Sequence, residues 1–283
     1  MTNGDDFLSG ESGHVAGIRA GTTHALRDLA LDVRLALGRA GRAARAASGA
    51  PRRVIVAGIY GEDVERMVRA IRELRRSRHD LEIALGAQGP TASELREVTV
   101  AEGLAGGKFE NVNAVLEGRD PAGRDWLLIV DDDVVLPRSF LDRFIAICDA
   151  LDFALAQPAQ TWRSHAAWRI TRRRGGSVAR ETCYVEIGPV TAFRADATAE
   201  LFPFPPLRYG WGLDVHWAAV ARKRGWRLGI VDALPVRHDL APVAAAYPHE
   251  GAIAEARDFL RDRPYLPAQV AQQTVAVHAR LPR

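Results

Sequence analysis

The chain has 283 residues, of which 47% are hydrophobic and 26% are charged, so it can form one large domain with an accessory segment. Its formal net charge is only +3, which argues against a nucleic-acid-binding protein with a focused basic surface. Neither cysteine belongs to a Cys/His ligand cluster, and no apolar stretch approaches the roughly 20 residues of a membrane-spanning helix. We therefore expect a soluble, cytoplasmic protein with reduced cysteines.

The first 50 residues form an extension with two parts. Residues 1–21 are rich in Gly, Ser and Asp, which predicts poor order. Residues 22–47 are rich in Ala, Leu and Arg, which predicts one helix. Three interpretations of this helix stay open: packing on the main domain, an arm that joins two copies into a homodimer, or a basic helix in peripheral contact with a membrane surface.

Residues 51–240 alternate between strand and helix patterns and form the predicted main domain. The predicted strands are 54–60, 81–85, 126–130, 153–156, 184–193 and 228–231. The predicted helices are 62–76, 91–102, 110–117, 138–150 and 212–224. This order predicts an α/β fold with a mostly parallel sheet flanked by helices. Residues 241–283 are predicted to be a partly helical C-terminal tail, with a helix around 253–260.

Three consecutive acids, Asp131, Asp132 and Asp133, follow the apolar run WLLIV. Ligands of open α/β sheets bind at the carboxyl ends of the strands, where this cluster lies. Mutual repulsion makes such a cluster unfavourable unless a cation neutralises it, and Mg²⁺ or Mn²⁺ prefers oxygen ligands. Alternate residues, here Asp131 and Asp133, point to one side of an extended segment. The plainer interpretation is a solvated acidic turn before the next helix.

The segment WLLIVDDDVVLP resembles the DXD region of GT-A glycosyltransferases, especially the large inverting family called family 2. VIVAGIYGED resembles the first strand and turn of those enzymes, and KFENVNAVLEG resembles the Asn-containing helix before their DXD strand. RYGWGLDVHWAAVARKRGW resembles the region that holds their catalytic carboxylate. The four segments occur in the family's order and cover about residues 53–240.

The resemblance implies a GT-A fold and metal-dependent transfer of a sugar from a nucleotide-diphosphate sugar to a hydroxyl acceptor, by inverting direct displacement. It implies Mn²⁺ or Mg²⁺ bound by Asp131, Asp133 and His238, with Asp214 as the base. Independently of the resemblance, aromatic faces suit the C–H surfaces of sugars, so we expect Trp211 at the acceptor site, although tryptophan also commonly fills protein cores. The residues that the resemblance places at the donor are Tyr60, Lys108, Asn111, Asn113, Asp131 and Asp132.

Two positions depart from the family's pattern. The stretch after the second strand, residues 85–88, lacks the acid that often binds the nucleobase of the donor. The identity of the nucleotide therefore stays open. The usual Glu-Asp pair is Leu213-Asp214, which leaves one carboxylate. By position alone, Asp214 is equally an acid that complements the dipole of its helix. The basic run 172–174 predicts a solvated loop or a flap over phosphate groups.

Two other functions share these features. A nucleotidyltransferase that acts on sugar phosphates has a related layout, but it usually carries a Gly-rich signature after its first strand, and Gly58 and Gly61 do not form one. A non-catalytic module that only binds nucleotide sugars is the second alternative, and the intact acids argue against it.

Overall fold

The computed structural model describes residues 5–9, 18–61, 64–238 and 248–282, and the structural statements below concern these ranges. The strands are β1 (Arg53–Tyr60), β2 (Asp80–Ala87), β3 (Thr99–Ala101), β4 (Trp126–Asp131), β5 (Val134–Val135), β6 (Phe153–Gln160), β7 (Ala179–Thr182), β8 (Val190–Arg194), β9 (Arg227–His238) and β10 (Thr274–His278). The helices are α1 (Ile18–Leu37), α2 (Arg39–Ala46), α3 (Val64–Leu74), α4 (Lys108–Leu116), α5 (Phe140–Ala150), α6 (Ala195–Leu201), α7 (Leu213–Arg224), α8 (His249–Leu260) and α9 (Ala268–Ala271).

One sheet runs through the described residues in the order β10-β7-β9-β6-β8-β4-β1-β2-β3, and β5 pairs with β9 beside it. Strands β7 and β8 run against their neighbours, while the other seven strands of this order point in one direction. The predicted mostly parallel α/β sheet is therefore confirmed. The carboxyl ends of β1, β2, β4, β6 and β9 consequently lie along the same edge.

Helices cover both faces of the sheet. One core packs α2, α3 and α5 on the sheet, and the other packs α4, α6, α7 and α8 on the opposite face. Strand β4 is apolar from Trp126 to Val130 because both of its faces are buried. In the second core, the ring of Phe109 lies 5.6 Å from that of Trp217 and 5.1 Å from that of Phe204. This aromatic contact fixes the start of α4 against α7.

The predicted helix at 91–102 is wrong. Residues Ser93–Leu95 form a single 3-10 turn, and Thr99–Ala101 form the edge strand β3. The backbone N–H of Leu85 donates to the carbonyl of Val98 over 2.8 Å, beside the register pair Leu85–Thr99. Pairing with β2 outweighs the helical spacing of Leu95 and Val98, and β-branched Thr99 fits an extended strand.

The predicted single helix at 22–47 is two helices that meet at Gly38. Gly38 is the N-cap of α2 and is extended, with φ −80° and ψ 168°. A Cβ at this position would lie 2.4 Å from the carbonyl oxygen of Arg34, so the close turn requires glycine. The expected poor order of 1–21 is wrong for two parts: Phe7 is buried, and α1 begins at Ile18. The remainder of that prediction, 1–4 and 10–17, lies outside the described residues.

Several element bounds also differ from the predictions. The strand predicted at 184–193 begins only at Val190, and the short strand β7 before it was missed. Strand β9 continues to His238, where the sequence predicted a connection at 235–240, because its end pairs with β5. Two stretches lie outside the described residues: 62–63, in a predicted helix, and 239–247, in this connection and the tail.

The described part of the C-terminal tail packs into the same body as the sheet. Strand β10 adds to β7, and the backbone N–H of Ala268 donates to the carbonyl of Asp6. The boundaries at 50 and 240 stay predictions. Among the described residues, no helix has the length and apolar character needed to cross a bilayer.

A buried ion pair joins β7 to β9. The guanidinium Nε of Arg180 lies 2.9 Å from Asp232 Oδ2, with side chains 5% and 0% exposed. We expect Arg180→Met to lower the free energy of unfolding by about 3–5 kcal/mol, because Asp232 keeps a buried charge without its partner. The exposed pair of Arg261 and Asp258 supplies the control, since Arg261→Met is expected to cost under about 1 kcal/mol. Equal losses in urea unfolding would contradict the expectation.

Candidate active site

The acidic turn lies where β4 ends and β5 begins. Asp131 is the last residue of β4, and Val134 of β5 pairs with His238 of β9. This antiparallel pairing brings the imidazole of His238 against the carboxylate of Asp133, with Nε2 and Oδ1 3.0 Å apart. These two residues are far apart in sequence, so the pairing of β5 with β9 brings them together.

Asp131 points to a different partner, the ammonium group of Lys108 at the start of α4. Lys108 Nζ lies 2.6 Å from Asp131 Oδ1 and also donates to the carbonyl of Ile187 over 2.6 Å. Gly188 adjoins this ion pair: a Cβ there would lie 2.6 Å from Asp131 Oδ2 and 2.9 Å from Lys108 Nζ. The space around the pair therefore has no room for a larger residue at 188.

Asp132 turns towards the end of β1. Its Oδ2 accepts a hydrogen bond of 2.8 Å from the backbone N–H of Gly61. Burial raises the pKa of this carboxyl to about 6, and the charges of Asp131 and Asp133 add to the increase, against the effect of the Gly61 bond. The three adjacent acids thus have three separate partners.

Asp133 and His238 are the residues best placed to hold a divalent cation. Among the described residues, no group of three or more His, Cys, Asp or Glu side chains is arranged to bind a metal. A separation of 3.0 Å does suit two ligands of one ion, and Mg²⁺-type sites often use one or two protein ligands plus substrate phosphates. Burial lowers the pKa of His238, but the hydrogen bond and charge of Asp133 and the charge of Asp131 raise it to about 9. A bound metal must therefore displace a proton from this imidazole.

Asp214 lies in the first turn of α7 and is 7% exposed. The phenol of Tyr184 donates a hydrogen bond to its Oδ2, and the backbone N–H of Val215 donates to Oδ1 over 2.9 Å. The ring of Trp168 packs 4.3 Å from that of Tyr184 and holds the phenol in place. Burial raises the pKa of Asp214 to about 6, although the Tyr184 hydrogen bond opposes the shift.

Glu186 is a buried carboxyl that the sequence analysis missed. Gln160 Nε2 donates to its Oε2 over 2.7 Å, and its own backbone N–H donates to Gln157 Oε1. Burial raises its pKa to about 8 and the charge of Asp214 raises it further, while His238, Arg172 and Lys108 oppose this shift. Glu186 is therefore within electrostatic range of both Asp214 and His238. It is the only acid in the strand predicted at 184–193, which was the available signal.

A cleft of about 210 Å³ opens beside the acidic turn, at the carboxyl ends of β1 and β4. Its polar lining is Gln88, Lys108, Asn111, Asp131 and Asp132. Gln88 follows β2, in the stretch 85–88 that lacks an acid. Its side chain is an amide, and it was not among the residues predicted at the donor.

Two of the residues expected at the donor point elsewhere. Tyr60 is 1% exposed, and its phenol bonds to Thr99 over 2.9 Å, so its ring does not face the cleft and the expected base contact is corrected. Asn113 exchanges hydrogen bonds of 2.7 and 2.9 Å with the backbone of Phe204, so its amide is occupied within the fold. Asn111 lines the cleft, but its amide is bonded to Gly106.

Trp211 lies in a tight loop at the start of α7. Gly210 and Gly212 on either side have φ of +76° and +88°, which only glycine adopts easily. The carboxylate of Glu255 on α8 accepts the backbone N–H groups of residues 208–210. The indole is half-buried, with its ring 5.6 Å from that of His249. The loop thus presents Trp211 three residues from Asp214.

Two arginines of the basic run 172–174 are held by the fold, and the third, Arg174, is exposed. Arg172 donates to the carbonyls of Thr161 and Ser164, and the guanidinium of Arg173 is 3% exposed beside Asp28 and Asp32 of α1. Arg172 and Arg173 therefore stabilise the fold, and their guanidinium groups are already bound to other parts of the chain.

Comparison with known proteins supports the fold. Neither a protein-family profile nor a curated protein sequence matches the chain. The mannosyltransferase PcManGT from Pyrobaculum calidifontis, solved with GDP-Man and Mn²⁺, superimposes with a TM-score of 0.56. The alignment has 16% sequence identity and covers 88% of this chain and 78% of that protein.

Two further structures resemble the chain. GalNAc-T7, solved with UDP, GalNAc and Mn²⁺, gives a TM-score of 0.54 and 11% identity over 75% of this chain; the chain covers 48% of that protein. TarS from S. aureus, solved with UDP-GlcNAc, gives 0.51 and 12% identity over 77% of this chain and 69% of its own. The GT-A fold that the DXD resemblance implies is therefore confirmed.

The buried carboxyl of Asp214 gives a pH-dependent contribution to stability. Its folded pKa, about 6, exceeds the ordinary value of 3.8, so its neutral form favours folding below pH 3.8 and this benefit is lost as the pH rises through about 6. We expect Asp214→Asn to exceed the wild type in unfolding free energy by about 2 kcal/mol at pH 7.5, with a smaller difference at pH 4.

Urea unfolding at the two pH values measures this difference. Asp258→Asn is the control, because that side chain is 70% exposed and its change should alter the two values alike. A pH-independent effect of Asp214→Asn would contradict the burial argument.

Proposed function

We propose that the protein is a metal-dependent glycosyltransferase that moves a sugar from a nucleotide-diphosphate sugar to a hydroxyl acceptor. The observation that carries this proposal is the joint location of two groups. His238, which lies 3.0 Å from Asp133, and the buried Asp214 both interact electrostatically with Glu186. The proposed cation ligands and the proposed general base are thus within electrostatic range of one buried carboxyl group.

The cleft beside β1 and β4 is the proposed donor site. Lys108, Asn111, Asp131 and Asp132 line it, and the ammonium of Lys108 supplies a positive charge for the diphosphate. Gln88 is the proposed contact for the nucleobase of the donor. PcManGT was solved with GDP-Man and TarS with UDP-GlcNAc, which supports a nucleotide-sugar donor without selecting the nucleotide.

Asp133 and His238 are proposed to hold Mn²⁺ or Mg²⁺. Asp131 would become a third ligand if its ion pair with Lys108 opened and Lys108 bound the donor diphosphate. An ion held by these residues would supply electrostatic stabilisation of the charge on the departing nucleoside diphosphate. Two of the three similar structures contain Mn²⁺, which supports this assignment. Since Asp133 and His238 are only two protein ligands, donor phosphate oxygens would complete the ligand set.

Asp214 is proposed as the general base. It takes the proton of the acceptor hydroxyl, whose oxygen forms a bond to the anomeric carbon as the bond from that carbon to the diphosphate breaks. With a pKa of about 6, Asp214 is ionised at neutral pH and still basic enough to accept this proton. Tyr184 orients the carboxylate, and Trp211 is proposed to contact the acceptor. One displacement inverts the anomeric centre.

Substitution of the two central acids tests this function. We expect Asp133→Ala and Asp214→Asn each to lower transfer by about 10²–10⁴-fold, since one loses a cation ligand and the other its base. The measurement is release of nucleoside diphosphate with product formation, followed by NMR of the anomeric configuration. Asp258→Asn, on the exposed surface, is the control and should keep full activity.

The same assay separates the alternatives. Pyrophosphate as the released product would identify a nucleotidyltransferase, and donor binding without turnover would identify a binding module. A product of retained configuration would overturn direct displacement by Asp214.

Gly188 gives a second test that needs no acceptor. We expect Gly188→Ala to reduce the thermal stabilisation by GDP or UDP with Mn²⁺ by at least half, because its Cβ would displace the Lys108–Asp131 pair. Gly89→Ala is the matched control, since no atom lies within 4 Å of a Cβ at that position. Equal midpoint shifts in the two variants would contradict a diphosphate site beside Lys108.

A further inference from the structure

Helix α1 has an apolar face that no described part of the chain covers. Leu26, Leu29, Val33 and Leu37 are 64%, 59%, 52% and 73% exposed. Their spacing of three, four and four residues places them on one side of the helix, in a stripe roughly 16 Å long. They are half of the large exposed hydrophobic residues in the described chain. We call these four residues the α1 stripe.

The opposite face of α1 holds the helix on the domain. Asp28 is 2% exposed, and its carboxylate accepts the backbone N–H groups of Trp162 and Arg163 over 3.0 and 3.1 Å. Asp32 lies 2.6 Å from the guanidinium of Arg173. Both acids of this segment are therefore used in attachment, so the α1 stripe has a fixed outward direction.

The surface around the α1 stripe is basic. Among the described side chains of α1 and α2, the exposed charged ones apart from the paired Asp32 are all arginines: Arg27, Arg34, Arg39, Arg42 and Arg45. A cleft of about 460 Å³ between these helices and the β5–β9 ribbon is also lined by arginines, and Asp32 is the single acid in its lining. The arginines of this cleft are Arg45, Arg138, Arg143, Arg163 and Arg237, together with Arg173, whose charge is paired with Asp28 and Asp32.

We propose that α1 and α2 dock the protein on an anionic membrane surface. The α1 stripe enters the boundary between headgroups and acyl chains, while the surrounding arginines bind lipid phosphates. A second copy of the chain is a poorer occupant, because it would bring the two arginine sets together. Four apolar side chains also fall far short of the roughly 20–30 residues per side of a stable interface. The proposal is independent of the proposed transferase activity.

Vesicle flotation of the full chain tests the proposal. We expect binding to vesicles that contain phosphatidylglycerol, weakening with salt, and little binding to vesicles of phosphatidylcholine alone. Leu29→Ser with Val33→Ser should weaken binding by about tenfold or more, and Arg39→Gln with Arg42→Gln should also weaken it. The matched control is Val275→Ser with Val277→Ser on β10, two exposed valines away from the stripe.

Three results would overturn the proposal that α1 and α2 dock on a membrane. Absence of wild-type binding to anionic vesicles, or equal binding by the stripe variant and the control, overturns the proposal. So does a dimer in sedimentation velocity that the stripe variant disperses, which would assign the face to a second copy. Because all substituted residues are exposed, the thermal midpoint and the Mn²⁺–nucleotide shift should stay unchanged, so a failed vesicle test leaves the transferase proposal standing.

Discussion

The pairing of β5 with the end of β9 is the contact on which the site depends. It is only two residues long, yet it places His238 beside Asp133 with 3.0 Å between their polar atoms. Without it, the acidic turn after β4 would face solvent with no second ligand. The pairing is supported from beneath, because Val134 and Val236 are fully buried in the core that also holds α3 and α5. A short backbone ladder thus joins the two halves of a candidate cation site.

The second feature of the site is carboxyl groups kept away from water. Asp132, Asp214 and Glu186 all have raised pKa values, and burial is the first cause in each case. Their ionisation costs folding free energy, and a chain selected for stability alone would not retain three such groups in one region. Perturbed pKa values of this kind cluster at the functional sites of proteins. Here they lie along the carboxyl edge of a GT-A sheet.

The N-terminal helices join this body through both polar and apolar contacts. Asp28, Asp32 and Arg173 hold α1 against the loop after β6, while Ala40 and Ala44 of α2 enter the core. Leu35 of α1 packs against the core, whereas Leu26, Leu29, Val33 and Leu37 are exposed. A helix that served the fold alone would not leave four large apolar side chains exposed on one face. The extension therefore presents an apolar surface.

Local pattern was enough to predict the α/β layering, the buried strand β4 and the acids at its end, because burial on both faces leaves a continuous apolar run in the sequence. It also indicated the glycine-bounded loop at Trp211 and the position of Asp214 in the first turn of α7. Tertiary structure decided the rest. The edge strand β3, the burial of Tyr60, the separate partners of Asp131, Asp132 and Asp133, and the location of Glu186 all follow from contacts between distant segments. Strand pairing and desolvation are properties of the assembled fold, so no local spacing encodes them.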